Sequence, residues 1–90
     1  MKQEKRHKLQ LHYEILCAIE EDTMQNDKVR PTRIQHSSRL SYDKMMHHFD
    51  ELQRKGMIYR DRGLIVMTSK GREFTKQYTD LVNLIERVGL

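Results

Sequence analysis

The chain has 90 residues, of which 37% are hydrophobic and 33% are charged, and its formal net charge is +4. This length predicts one domain with a small core, and a single cysteine excludes an intramolecular disulfide. We expect a soluble cytoplasmic protein, because no apolar run approaches the roughly 18 residues of a membrane helix. The modest basic balance favours an acidic partner only weakly, but the positive charge gathers in residues 28–48 and 57–72.

The first predicted element is a helix over residues 8–21. Apolar residues recur there every three or four positions and form a wide stripe, which is typical of a helix that faces the core. Cys17 lies close to this stripe, and we interpret it as a small, at least half-buried residue rather than a reactive thiol. Residues 21–27 are polar and without period, so they predict a loop, and residues 28–30 predict a short extended segment before Pro31.

Two shorter helices are predicted over residues 32–38 and 42–55. Pro31 suits the first turn of the earlier helix, where the missing N–H of proline costs nothing. Ser41 is a favourable N-cap for the later helix. Two helices joined by so short a turn form a helix-turn-helix, and we expect the apolar Leu40 to fill the gap between them.

A β-hairpin is predicted over residues 57–68. Two runs of apolar, β-branched and aromatic residues flank Arg62 and Gly63, which can supply the positive φ angle of a tight turn. Arg60 and Arg62 place two positive charges near the tip of this hairpin. The second basic segment of the chain therefore falls on the hairpin.

The last predicted helix begins after Thr68 and covers residues 69–88. Its apolar residues are alternately four and three positions apart, which is the pattern of a coiled-coil seam. A domain of this size cannot cover a stripe about 30 Å long, so we expect the second half of the helix to pack on another copy of the chain. The residues predicted for this homodimer interface are Phe74, Tyr78, Leu81, Leu84, Ile85 and Val88.

The side chains around the predicted helix-turn-helix and hairpin are suited to contacting double-stranded DNA. In such a motif, residues near the start of the second helix reach base edges in the major groove, and nearby polar side chains bind phosphates. The two basic segments of the chain fall on these elements. The predicted DNA-contacting residues are Arg33, Ser38, Arg39, Ser41, Tyr42, Lys44, His47, Arg60 and Arg62.

Two stretches resemble segments of winged-helix proteins. LSYDKMMHHFDELQRKGMI (residues 40–58) resembles their recognition helix, and VMTSKGREF (residues 66–74) resembles the segment that follows the wing. With HYEILCAI near the start, the sequence resembles small archaeal winged-helix DNA-binding proteins over roughly residues 8–88. The resemblance implies an α+β, mostly α fold, with a winged helix-turn-helix domain over residues 1–68 and a C-terminal dimerisation helix over residues 69–90. In some relatives this helix pairs as an antiparallel coiled coil.

A second hypothesis is a winged-helix module that binds another protein and no nucleic acid. Asp43, Asp50 and Glu51 lie around the predicted DNA-facing side, where they would repel phosphates, and we expect Met46 to be exposed beside them. A continuous positive face would favour DNA, whereas acids beside an exposed apolar patch would favour a protein. Within the DNA-binding hypothesis, a transcriptional regulator and an architectural factor both stay open.

The histidines match no metal or catalytic motif. His47 and His48 point about 100° apart on a helix and do not face one ion easily, and no CxxC or HExxH spacing accompanies them. We expect His12 and His48 to pack partly buried beside apolar neighbours, with His47 facing outward. The sequence also lacks a nucleophile elbow and a glycine-rich phosphate loop. It therefore predicts no enzyme, no metal, no cofactor and no small-molecule ligand.

Overall fold

The structure is a computed structural model that describes residues 6–26 and 28–89. It is mostly helical with a small two-stranded antiparallel sheet, as predicted. The elements in chain order are α1 (Lys8–Gln25), α2 (Pro31–Ser38), α3 (Tyr42–Arg54), β1 (Ile58–Asp61), β2 (Leu64–Met67) and α4 (Ser69–Val88). In the described part of the chain, no helix combines the length and apolar character needed to cross a membrane.

The first helix is longer than its apolar pattern predicts, because polar side chains hold its last turn. The Thr23 hydroxyl donates to the carbonyl of Ile19 one turn back, and the backbone N–H of Asn26 closes the end of the helix. The loop predicted over residues 21–27 is therefore wrong for most of its length, and residue 27 itself lies outside the described residues.

The helix-turn-helix forms where the sequence predicts it. α2 ends at Arg39, which adopts a left-handed conformation with φ of 60°. The hydroxyl of Ser41 accepts a hydrogen bond from the backbone N–H of Lys44 and caps α3, as expected. Leu40 is only 7% exposed. Its predicted role in filling the gap between the two helices is confirmed.

One apolar core joins α1, the helix-turn-helix and the sheet. Burial of these side chains is the main force that holds three short helices and a small hairpin together. Phe74 and the half-buried Ala18, Met46 and Met57 pack around its edge. The buried members are Leu11, Ile15, Leu16, Ile19, Val29, Ile34, Leu40, Met45, Phe49, Leu52, Ile58, Ile65 and Met67.

The hairpin turns at the predicted pair. Arg62 and Gly63 have φ angles of 53° and 78°, and two successive positive angles are typical of a turn whose twist matches that of its strands. The predicted extended segment is also present, because Val29 bridges to Ile65 at the edge of the sheet. This bridge therefore connects the hairpin to the segment that precedes α2.

The start of α4 is held close to the end of α3. The Thr68 hydroxyl accepts from the backbone N–H of Gly71 at 3.1 Å and donates to the carbonyl of Gly56 at 2.6 Å. A Cβ atom at Gly71 would collide with the carbonyl oxygen of Met57. Glycine is therefore required at this position for α4 to approach so closely.

Further along, α4 packs against α1. Tyr13 stacks on Tyr78 with ring centroids 4.4 Å apart, and its hydroxyl is 2.7 Å from the Thr79 hydroxyl. Cys17 is half-buried nearby, and burial raises the pKa of its thiol. The prediction that Cys17 is half-buried is confirmed, and a raised pKa favours the less nucleophilic thiol form.

Candidate nucleic-acid interface

The first turns of α3 present polar side chains to solvent. Tyr42 is 50% exposed, Lys44 is exposed, and the His47 side chain is 72% exposed. The hydroxyl of Ser41 is occupied as the helix cap. Three predicted contact residues, Tyr42, Lys44 and His47, are thus accessible to solvent in the first turns of α3.

A positively charged groove lies between the start of α2, the start of α3 and the tip of the hairpin. Its cationic residues are Lys28, Arg30 and Arg62, and Tyr42 forms part of its wall. None of the described residues that line it is acidic. The groove therefore offers several donors and positive charge to an anion such as a phosphate.

The sequence prediction missed Lys28 and Arg30. Because Val29 is buried and pairs with the sheet, its two neighbours in an extended segment point to the opposite side. Both neighbours are accordingly exposed. The net positive charge of residues 28–48 was a signal for them, but their common direction depends on the distant strand that fixes Val29.

An ion pair neutralises the negative charge of Asp50, one of the acidic residues on α3. Arg60 donates to the Asp50 carboxylate and to the side-chain oxygen of Gln53 at 2.7 Å. Arg60 thus links the hairpin to α3 and is engaged with protein, whereas the sequence predicted that it contacts DNA. Asp43 lies in the first turn of α3, where the helix dipole stabilises a negative charge.

The residues predicted on the approach to the turn are placed differently from one another. Arg33 pairs with Asp22 on α1 at 3.0 Å. Ser38 is 6% exposed, and its hydroxyl donates to the Gln35 carbonyl, so we correct its prediction as a DNA contact. Arg39 is exposed and stays in the candidate interface.

Met46 does not form the exposed apolar patch that the sequence predicted. It is half-buried and packs against the core. That expectation was wrong because the apolar face of α3 is wider than the stripe of Met45, Phe49 and Leu52. The second hypothesis, a protein-binding module, thereby loses one of its supporting features.

The apolar stripe of α4 divides into two parts. Phe74 packs against the core, and Tyr78 stacks on Tyr13. The remaining members of the predicted interface are exposed to 38–60% of their surface. These exposed members are Leu81, Leu84, Ile85 and Val88.

A cluster of ionisable side chains joins α1 to the inner side of α3. Nε2 of His12 lies 3.1 Å from Nδ1 of His48. The Glu51 carboxylate accepts from Lys8 and lies 3.1 Å from Nε2 of His47. His12 is buried, as expected, but it contacts a second histidine rather than apolar groups alone.

The cluster has shifted titration behaviour. Burial and the neighbouring His48 lower the pKa of His12 to about 4. The hydrogen bond from Lys8 lowers the pKa of Glu51. At neutral pH the cluster therefore contains a neutral His12 and an ionised Glu51. The sequence predicted Glu51 around the DNA-facing side of α3, but its side chain is buried and pairs with Lys8 on α1.

The sequence matches the family of winged helix-turn-helix domains over residues 5–86, and the chain belongs to this family. No curated protein matches it significantly. A solved structure with the same fold is the crystal structure of a MepR mutant from a multidrug-resistant S. aureus clinical isolate, with a TM-score of 0.70 and 18% sequence identity. The match covers 89% of this chain and 62% of the MepR chain. The chain thus spans less than two thirds of that protein, and the likeness shows a shared fold.

Proposed function

We propose that the chain is a homodimeric DNA-binding protein, either a transcriptional regulator or an architectural factor. α3 enters the major groove of double-stranded DNA, and the β1–β2 hairpin acts as the wing beside it. The family assignment supports this role over catalysis, because the helix-turn-helix is an arrangement that presents a helix to a DNA groove.

The observation that carries the proposal is the groove lined by Lys28, Arg30 and Arg62. It lies beside the exposed start of α3, where the DNA backbone flanking a major-groove contact would run. A backbone phosphate seated there meets three cations, and none of the described residues that line the groove repels it. Fixing one phosphate at this point sets the register of α3 along the duplex.

The proposed contacts are of two kinds: some bind the DNA backbone and position the protein, and others contact base edges. Lys28, Arg30 and Arg62 hold the phosphate in the groove, and Arg39 reaches the backbone from the turn. Tyr42 binds the same phosphate from the wall of the groove, and the side chains that reach base edges are Lys44 and His47. Ser41 and Arg60 act through protein structure, as the cap of α3 and as the partner of Asp50.

Dimerisation through α4 is the second part of the proposal. The exposed stripe formed by Leu81, Leu84, Ile85 and Val88 continues the heptad pattern beyond the part of α4 that packs on α1. A second copy of α4 would bury this stripe and remove its apolar surface from water. Two recognition helices would then face one duplex.

The DNA part is tested by fluorescence anisotropy with a labelled duplex of mixed sequence at several salt concentrations. We expect the logarithm of the affinity to fall by about 0.9 per logarithmic unit of salt for each phosphate neutralised. Arg30→Ala and Arg62→Ala should each weaken binding and reduce this slope by about one unit. Lys76→Ala is the matched control, because Lys76 is exposed on α4 beside Cys17 and Glu20.

Two results would contradict the DNA proposal. One is an affinity that does not change with salt, and the other is equal weakening by Lys76→Ala and Arg62→Ala. Absence of binding to any duplex in a random pool would favour the protein-binding module. Asp50 and Asp43 near the interface would then face a partner with complementary basic groups.

A further inference from the structure

Three metal-ligating side chains converge between α1 and α3. The ligand atoms of His12, His48 and Glu51 all lie within 4.8 Å of one another. His12 is 2% exposed and Glu51 is 6% exposed. Burying a carboxylate beside two imidazoles costs free energy unless these groups bind a ligand or form hydrogen bonds with one another.

The spacing of the two imidazole nitrogens suits a shared ion. Nε2 of His12 and Nδ1 of His48 are 3.1 Å apart. Two nitrogen ligands at 2.0–2.1 Å from a tetrahedral zinc ion are separated by about 3.3–3.4 Å. His48 and Glu51 are three residues apart on α3, so they share one face of the helix. The ligand atoms lie within 4.8 Å of one another, so the carboxylate has to approach the imidazoles by at most about 1.5 Å to reach this separation.

We propose that His12, His48 and Glu51 form a binding site for a Zn²⁺-like transition-metal ion that links α1 to the DNA-facing helix α3. Two imidazoles and one carboxylate favour ions such as Zn²⁺ or Co²⁺ over Mg²⁺ and Ca²⁺, which prefer oxygen ligands. A fourth position is left for a water molecule.

The cluster already holds its ligands in forms that can bind a metal. A metal ion needs neutral imidazoles and an ionised carboxylate, and the lowered pKa values of His12 and Glu51 leave His12 neutral and Glu51 ionised at neutral pH. In the described arrangement one imidazole nitrogen of the pair donates its proton to the other. Metal binding requires the tautomers in which both of these nitrogens present a lone pair.

Lys8 is the residue that the ion would displace. Its ammonium group pairs with Oε2 of Glu51, and 55% of its side chain is exposed. The ammonium can therefore turn into solvent when a doubly charged ion takes its place. In the absence of metal, the contacts of the cluster include the ion pair of Lys8 with Glu51, the pair of His47 with Glu51 and the contact of His12 with His48. A bound ion would add three coordinate bonds.

The test is a titration of the full chain with Co²⁺, after treatment with a chelator and without DNA. Co²⁺ is the probe because its visible absorption reports a four-coordinate site, and competition with Zn²⁺ then gives the zinc affinity. We expect one ion per chain. His48→Gln and Glu51→Gln should each weaken binding at least about tenfold, because removing even a group that orients a ligand costs 10–100-fold.

His36→Gln is the matched control, because His36 is an exposed histidine on α2. It should leave the affinity and the spectrum unchanged. Circular dichroism melting of each variant shows that it is folded before titration. Equal affinity for the chain and both cluster variants would overturn the proposal, and so would a spectrum that only His36→Gln abolishes. Because no DNA is present, this outcome is independent of the DNA-binding proposal.

Discussion

Single residues decide how much positive charge the candidate interface presents. Arg60 is an example, because the sequence shows an arginine near the hairpin tip, whereas the structure shows it bonded to Asp50. The pair cancels one acid that would otherwise repel phosphates from α3. Lys28 and Arg30 show the reverse case, because their importance follows from the burial of Val29 between them.

At the residue scale we predict that Asp50→Asn strengthens DNA binding. The substitution removes a negative charge beside the proposed interface and releases Arg60 to contact phosphate. Stability should change by less than about 1 kcal/mol, because the Asp50 side chain is 65% exposed and exposed ion pairs contribute little. Anisotropy titrations at low and moderate salt measure the affinity, and urea unfolding measures the stability.

Asp80→Asn is the control for Asp50→Asn, because it removes the same charge from an exposed position on α4. It should affect DNA binding only through long-range charge, which salt screens. If both substitutions strengthened binding equally at moderate salt, Asp50 would have no local role.

At the scale of elements, the sequence predicted correctly those features that are encoded by a few neighbouring residues. Each of these signals lies within a few residues of the structure that it defines. They are the helix cap at Thr68, the hairpin turn at Arg62 and Gly63, and the buried Leu40 between α2 and α3. The end of α1 was missed because polar side chain to backbone bonds, rather than an apolar period, extend it. The contact between His12 and His48 was missed because it joins two helices 36 residues apart in the chain.

The contact between α1 and α3 predicts a loss of stability in acid. The pKa of His12 is about 4 in the folded chain and near 6.5 in an unfolded one. The unfolded chain therefore binds this proton more readily, so the stability is complete above pH 6.5 and falls as the pH drops from 6.5 to 4. The loss from this group is at most about 3 kcal/mol. Urea unfolding at several pH values, with a chelator present, measures it.

The groups that face His12 bear on the same experiment. They are Lys8 on α1, Glu51 and His48 on α3, and Lys55 at its C-terminal end. Glu51 has a lowered pKa, so its contribution is lost in a lower range, below about pH 4.5. His12→Gln should remove the pH dependence between 6.5 and 4, whereas His36→Gln should retain it. A slope that persists in His12→Gln would assign the effect to another group.

At the scale of the whole molecule, the surface divides between two proposed partners. The start of α3 and the groove at the hairpin tip present cations to DNA, and the end of α4 presents apolar side chains to a second copy. The sequence predicted the α4 stripe well, because a heptad pattern is local. It also predicted that the first half of this helix packs within the chain. Phe74 and Tyr78, which the sequence assigned to the dimer interface, belong to this half and contact the core and Tyr13.

We predict that Leu84→Glu converts a dimer to a monomer. The substitution places a charge in the centre of the exposed α4 stripe, where pairing would have to bury it. The fold itself should persist, because Leu84 is 48% exposed and lies outside the core. Analytical ultracentrifugation over a range of concentrations measures the association.

Asn83→Glu is the matched control for Leu84→Glu. It adds the same charge at the neighbouring exposed position, which is outside the heptad pattern. It should leave the dimer intact. A monomeric mass for the unsubstituted chain at every concentration would refute pairing through α4.

The close approach at Gly71 has a consequence for the DNA that such a dimer would recognise. The Met57 carbonyl leaves no room for a side chain there, and Thr68 bonds to Gly56, so the start of α4 lies directly against the segment between α3 and the hairpin. In the proposed dimer, α4 then acts as a rigid spacer, and the separation of the two recognition helices is set within the protein. Such a dimer should accept two half-sites at one spacing, near a whole number of helical turns of about 34 Å each. Adding half a turn between the half-sites should reduce binding to that of a single half-site.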